Sequence, residues 1–432
     1  MVLKGEDGEG FHKSSRSLNF PSNVVSFFSA WANFFAKTFR ESWLFLSCDE
    51  FVLLFWKRDY PCCDISAEIT PELEKVFKFC NVKSNVKFAE ALLFWKQRSA
   101  RKISEGSYGE IYQFKHVDGT DRVFKCVPVN GQHPMSSYLE YSSRNVSNRH
   151  SLLEIRKYKF RNSFHSICLV RDHFPECLVR AWWDYRSSLE RLKDPAEHHQ
   201  PDQYPESQLY LTIESSFCGE PLTMRMLQNA WLGVSIMSQI TAALAVAEAA
   251  YNFEHRDIHL GNILVRSTNA VSLKYTIHNH HFSIETVGYH VFIIDFTLSR
   301  IYCDQNVYCV GLDEIARQSN ENKEVSDCIW LNHKNIYKIM AEYSKREWDK
   351  YMPITNIIWL KYMNENILDY LQKNNPQFMK LVPPNNEHNQ MKAINLLRKW
   401  NDCILQHKSA MDLLNNTILE ITLLFACMND TS

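Results

Sequence analysis

The stretch Glu254-His255-Arg256-Asp257-Ile258-His259-Leu260-Gly261-Asn262 decides how this chain is read. It gathers two acids, two imidazoles, a guanidinium and an amide directly behind a helix-forming run, Met224 to Tyr251, whose Ala-rich part Thr241–Ala250 favours a buried helix. A carboxylate such as Asp257 can orient a hydroxyl and accept its proton, and the amide oxygen of Asn262 is a hard ligand for a metal ion. Further on, Val291-Phe292-Ile293-Ile294-Asp295 is an apolar run ending in an acid. Such a run is how a buried strand delivers a metal-binding aspartate, here Asp295, to a site.

Working outward, Ile103-Ser104-Glu105-Gly106-Ser107-Tyr108-Gly109-Glu110-Ile111 precedes Val123-Phe124-Lys125-Cys126-Val127. Gly106 and Gly109 allow the backbone of a β-turn to approach phosphates. Lys125, placed mid-strand among apolar neighbours, needs an anion. Phosphate oxygens and a helix glutamate would supply one; Glu154 in Leu152-Leu153-Glu154-Ile155 is the expected partner and Glu140 its competitor. Phosphoryl transfer requires this combination of phosphate cradle, cation, metal ligands and base.

The rest of the chain sets the frame. A 432-residue chain accommodates a two-lobed enzyme of about 300 residues with extensions. An apolar fraction of 45% with few Gly and Pro argues for packed elements over long disordered tracts, and a net charge of −1 predicts no wholesale attraction to nucleic acid or acidic membranes. The polar start, Met1 to Ser17, lacks an apolar leader core, so the thirteen cysteines are expected as free thiols in a reducing compartment, Cys62 and Cys63 included. His278, His280 and His281 are expected as solvated hairpin residues because no cysteine or carboxylate joins them at metal-site spacing.

Val24, Phe27, Phe28, Trp31, Phe34, Phe35 and Phe39 recur at helical spacing, and Trp43 to Trp56 is a second apolar run split by Asp49 and Glu50. Both are too short or too charged to span a membrane. They are read as a helical extension that packs on the enzyme, or docks to a partner or membrane surface. Strands are expected at Ile111–Phe114, Val123–Val129, Leu209–Glu214, Tyr275–Phe282 and Val291–Phe296, a charged helix at Ser151–Arg161, and an amphipathic segment at Ile394–Leu424. The resulting organisation is 1–72 extension, 73–214 first lobe, 215–385 second lobe and 386–432 C-terminal helical segment.

Glu254 to Asn262 resembles the protein-kinase catalytic loop, and more narrowly the E-H-R-D-L-H-W-G-N of haspin-type kinases. Asp295-Phe296-Thr297-Leu298-Ser299-Arg300 is similar to that family's D-Y-T-L-S-R. Leu73–Phe77 with Cys80, Phe124-Lys125, Trp182–Tyr185 and Asn356–Leu360 also look like family segments, so the resemblance runs from about Leu73 to Leu381. It implies an α+β bilobal protein-kinase-like fold, with a β-rich first lobe, a mainly helical second lobe and an atypical activation segment without A-P-E. It implies Mg-ATP as cofactor and a threonine near the amino terminus of histone H3 as substrate. A nuclear or chromosomal location, with a cytoplasmic pool, is implied by resemblance alone.

By the same correspondence Ser216, Phe217 and Cys218 form the adenine hinge behind a small gatekeeper, Ser215, with Ile103, Ile111 and Ile294 as the apolar wall. Glu105, Glu220, Asp313 and Glu314 are expected to line a groove for a basic peptide, with His259 as a groove histidine. Three departures stand out: Ser104 replaces the first glycine of the loop, Asn335 replaces an aspartate that braces the catalytic loop, and Ile301–Ser326 diverges. They motivate the competing reading of a catalytically weak, kinase-like scaffold. A small-molecule kinase of the aminoglycoside or choline type is the other alternative, opposed by Arg256 and by the D-F-T-L-S-R sequence.

Overall fold

The protein is seen here as a computed structural model. It describes residues 83–96, 99–106, 109–129, 164–192, 201–204, 208–277, 280–296, 298–303, 306–318, 329–381, 387–417 and 421. The expected N-terminal extension, Cys62 and Cys63, and the Ser151–Arg161 helix with Glu154 and Glu140 lie outside the described residues. The chain divides into two compact units, one ending at Glu214 and the other starting at Ser215, with Thr120–Val123 exchanged into the second.

The first unit is built on a six-stranded sheet. Its strands are β1 (Lys83–Val86), β2 (Arg101–Gly106), β3 (Gly109–Lys115), β4 (Asp121–Val129), β5 (Phe164–Arg171) and β6 (Leu209–Ser216), in the order β1-β5-β6-β4-β3-β2. Alternate apolar residues of these strands face a cluster of aromatic rings: Phe88, Trp95, Tyr112, Phe114, Phe124, Phe174 and Tyr210. Trp95 meets Phe114 edge-on at 4.4 Å between centroids, the geometry that ring quadrupoles favour. Helix α2 (Glu176–Leu192) follows the short α1 (Phe88–Ala91) and adds Leu178 and Ala181 to this core. Trp182 and Tyr185 belong to α2, which periodicity alone had not marked as a helix.

The second unit is organised around α3 (Ala230–Tyr251), which is buried on nearly every face. Asn229 caps its start by accepting the Leu232 amide at 2.8 Å, and Asn252, in the left-handed region at φ 45°, ends it. The helix therefore begins six residues later than the expected Met224, which belongs to a short 3-10 turn, Met224–Met226. By length and composition α3 could cross a membrane, but 83% of its most apolar window is buried inside the protein, as in a core helix. Around it pack α6 (Ile354–Leu381), α7 (Glu387–Cys403) and a helix over 410–417, while α5 (His333–Tyr343) packs on α6 with α4 (Asp313–Gln318) beside it. The Gln390 side chain of α7 accepts the Ala230 amide at 2.8 Å, which ties α7 to the start of α3.

Three small sheets complete the described part of the second unit. Strand β8 (Ile263–Ser267) lies between β7 (Glu220–Pro221) and β11 (Tyr289–Ile293). The strand-like Tyr275–Phe282 falls in a hairpin, β9 (Ser272–Ile277) against β10 (His280–Glu285), with Tyr275 stacked on Phe282. His280 and His281 are exposed on it, and His281 bonds Thr276. A last ribbon, β12 (Ile301–Cys303) with β13 (Asn306–Tyr308), lies in the divergent segment, where mainly helix was expected. Cys126, Cys168, Cys177, Cys218, Cys309 and Cys403 are free thiols.

Candidate active site

The loop Glu254–Asn262 leaves the end of α3 and is almost wholly buried. Glu254 exchanges two backbone hydrogen bonds with Arg300, at 3.0 and 2.8 Å, which ties the loop to the segment following Phe296. Its carboxylate, fully buried, accepts the Arg256 Nε at 3.0 Å, the Met352 amide at 2.8 Å and the Thr355 hydroxyl at 2.9 Å. Arg256 adopts φ 67° and turns its guanidinium inward, where Nη2 donates to the Trp348 carbonyl at 2.7 Å. That charge is therefore paired inside the protein, with 1% exposure, where an added phosphate has no room to reach it.

His255 and its neighbours fix the loop from below. The His255 amide donates to Asn356 Oδ1 at 2.9 Å, and Asn356 Nδ2 donates to the Phe253 carbonyl and to Glu248 Oε1. The brace expected from Asn335 is thus supplied by Asn356. Asn335 sits in the first turn of α5, where its side chain reaches the Ile329 carbonyl at 3.3 Å. The reason is helical geometry: two residues along a helix turn about 200°, so the face that presents Tyr337 to the loop turns Asn335 away from it. The His255 ring also bonds the Ile294 carbonyl at 3.1 Å and packs against Phe296, 5.2 Å between centroids.

Asp257 stands at the centre. Tyr337 donates its hydroxyl to Asp257 Oδ1 at 2.5 Å, and Asn262 Nδ2 donates to Oδ2 at 3.2 Å and to the Asp257 carbonyl at 2.9 Å. Burial pushes the Asp257 carboxyl up to about 7; the Asp295 charge adds to this, while the bonds from Tyr337 and Asn262 act against it. His259 Nε2 lies 3.8 Å from Asp257 Oδ1. Burial, with His333 beside it, pulls His259 down to about 4, so the ring is neutral at physiological pH and its Nδ1 accepts the Gly261 amide. The Asn262 carbonyl receives the Ile294 amide at 2.8 Å, which sets Asp295 next to the loop in a left-handed conformation, φ 57°. With the Asn262 nitrogen turned to Asp257, the amide oxygen and the Asp295 carboxylate form a donor set of hard oxygens. That set fits Mg2+, which binds through one or two side chains and completes its shell with water and phosphate oxygens.

In the first unit Lys125 lies on β4, buried between Phe124 and Cys126. Gly106 pairs with Gly109 at the end of the β2–β3 hairpin, and Ile103 and Ile111 are half-buried on it. A Cβ on Gly109 would meet the Cys126 carbonyl oxygen at 2.4 Å, so close packing on β4 already requires this glycine, whatever its part with phosphate. Ser104 is an ordinary strand residue paired with Ile111, which explains why a side chain is tolerated where the motif has glycine. The sequence reading overlooked an adjacent ion pair: Lys102 and Glu110, both buried, join across the hairpin, with Lys102 Nζ 4.5 Å from the Tyr185 ring centre.

At the expected hinge, the Phe217 amide donates to the Asp121 carbonyl and its carbonyl accepts Arg266 Nη1 at 2.8 Å. The Ser216 carbonyl accepts the Cys218 thiol at 3.5 Å. Ser215 is half-buried, as is Ile294. Among the expected groove residues, Glu220 is exposed on β7, Glu314 is exposed on α4, and Glu105 lies on β2 opposite Glu110. Asp313 is half-buried at the start of α4, where its two oxygens accept Arg346 Nη1 at 3.1 Å and Trp348 Nε1 at 3.0 Å.

A buried aspartate on a loop between a core helix and a small sheet, with an asparagine five residues on and a second aspartate delivered beside them, defines a protein-kinase-like site on a mixed α+β fold. The chain belongs to the haspin family: the family model "Haspin like kinase domain" matches residues 66–415. The match continues past Leu381, where the resemblance in sequence ended, and takes in α7 and most of the helix over 410–417. The mouse (Mus musculus) serine/threonine-protein kinase haspin is 31% identical over 79% of this chain and 44% of its own length. The bovine (Bos taurus) protein of the same name is 30% identical over 78% and 43%, and the haspin homolog of Drosophila melanogaster 28% over 68% and 53%. The chain thus spans about half the length of the curated relatives it matches.

Proposed function

We propose that this protein is an ATP-dependent serine/threonine protein kinase that phosphorylates a threonine in the amino-terminal tail of histone H3. The single observation that carries the activity is the Asp257 carboxylate, buried and held by Tyr337 and Asn262 beside Asp295. Asp257 would orient the substrate hydroxyl and accept its proton, and its depressed acidity near neutrality suits that transfer. Lys125 would bind the α- and β-phosphates, while Ser216 and Cys218 would receive adenine. Bound Mg2+, held by Asn262 and Asp295, would neutralise charge on the transferred phosphoryl group.

The bilobal arrangement and an activation segment lacking A-P-E go with this reading. The inward ion pairing of Arg256 supports activity that needs no phosphate on that segment. The histone substrate and a nuclear or chromosomal site of action rest on family resemblance, with Glu220 and Glu314 as exposed acids for a basic tail. Transfer of labelled phosphate from Mg-ATP to a histone H3 amino-terminal peptide, beside a generic basic peptide, tests the proposal. Threonine labelling of the histone peptide that disappears in Asp257→Asn is the expected result. Labelling of neither peptide, with nucleotide bound, would overturn it.

A further inference from the structure

Glu248 is a carboxylate that the chemistry of the loop does not use. It lies inside α3, with 4% exposure, in a helix otherwise composed mainly of apolar residues. Its Oε1 accepts Asn356 Nδ2 at 2.9 Å and the Ala410 amide at 2.9 Å, while Oε2 accepts the Met411 amide at 2.8 Å. The Ser409 hydroxyl bonds it as well. One side chain therefore joins the start of the 410–417 helix to Asn356, and Asn356 holds the His255 amide two residues before Asp257.

This carboxylate is not needed to begin the helix. Ser409 Oγ already accepts the Asp412 amide at 3.0 Å, and the Asp412 carboxylate accepts the Lys408 amide at 2.9 Å, a reciprocal cap within the segment itself. Burying an acid in a core helix is costly unless several donors meet it, and here Asn356, Ala410, Met411 and Ser409 do. What Glu248 adds is the link. The core of the link is buried: Asn356, His255 and Ala410 show no exposure.

We propose that Glu248 is a positioning residue: it holds Asn356 against the catalytic loop while the 410–417 helix is seated, so seating of that helix sets the rate of phosphoryl transfer. The rate consequence rests on the kinase reading above; the coupling rests on geometry alone.

Hydrogen exchange of the full chain in rising, sub-denaturing urea reads the coupling without any substrate. The amides of His255, Ala410 and Met411 are expected to lose protection together, in one opening that precedes global unfolding. Glu248→Gln keeps one acceptor oxygen but sets an NH2 group against a donor. It is expected to lower kcat about tenfold, with KM for ATP changed less than about twofold, and to deprotect both segments. Ala410→Pro removes one donor at the first helical position, which tolerates proline, and should act in the same direction; it decides the matter should Glu248→Gln fail to fold.

Opening of Ala410 and Met411 while His255 stays protected up to global unfolding would overturn the proposal. So would a folded variant of either kind with wild-type kcat and wild-type His255 exchange. A wild-type protein that transfers no phosphate to any peptide removes the kinase reading instead, and the exchange result then stands for or against the coupling by itself.

Discussion

The catalytic loop and the glycine-bearing hairpin both bury charge, but they are held in opposite ways. In the hairpin Lys102 and Glu110 are eight residues apart and meet across two paired strands. In the loop Glu254, His255 and Arg256 pair with near neighbours too, but four of their bonds reach positions 92 to 101 residues away. Local closure makes the hairpin's charge pair a property of one turn. The loop's geometry is instead a property of the whole second unit, because α5, α6 and the segment around Trp348 must be in place before Asp257 is.

The largest effect expected from this contrast is at Asp257. Asp257→Asn should cut phosphoryl transfer about a thousandfold, with nucleotide binding retained, because it removes the base and leaves the surrounding bonds nearly isosteric. The same variant tests the titration. The Asp257 carboxyl stands at about 7 against an ordinary value of 3.8, so the folded state holds this proton more tightly than the unfolded one. Stability contributed by the protonated carboxyl is therefore lost as pH rises from about 4 to about 7, while kcat/KM rises through the upper end of that window as the base ionises. Thermal melts at several pH values should show this dependence in the wild type and a flatter profile in the variant.

Next comes the hairpin. Lys102→Met leaves Glu110 buried without its partner and should cost about 3–5 kcal/mol in a denaturant titration. Lys102→Met with Glu110→Leu should recover most of that loss; no recovery would mean that the strands depend on more than the pair.

Asn356→Ala should act on the loop by removing the acceptor of the His255 amide. A loss of about 1–3 kcal/mol is expected, with kcat reduced more than KM in steady-state assays. Asn335→Ala is expected to change stability by less than about 0.5 kcal/mol and kcat not at all. An Asn335 effect as large as that of Asn356 would return the brace to α5 and undo the contrast.

Much of the site was legible in advance because its signals are local. Asp257 and Asn262 stand within one short segment, and Asp295 ends an apolar strand. Tyr337, Asn356 and Glu248 were not legible as parts of the site. Each sits in a helix among apolar neighbours, where a lone polar residue reads as a tolerated exception, and nothing in the linear pattern says which helix face meets which loop. The partners of Asp313, Arg346 and Trp348, were hidden for the same reason.

By itself the sequence determined the chemistry: which residues can abstract a proton, ligate a hard metal and meet phosphates, and that a buried helix followed by a compact polar loop would present them. Only the tertiary structure decided what holds that chemistry in place. A buried polar group must be satisfied wherever a partner becomes available, and the packing of α3, α5, α6 and the 410–417 helix made those partners Tyr337, Asn356 and Glu248.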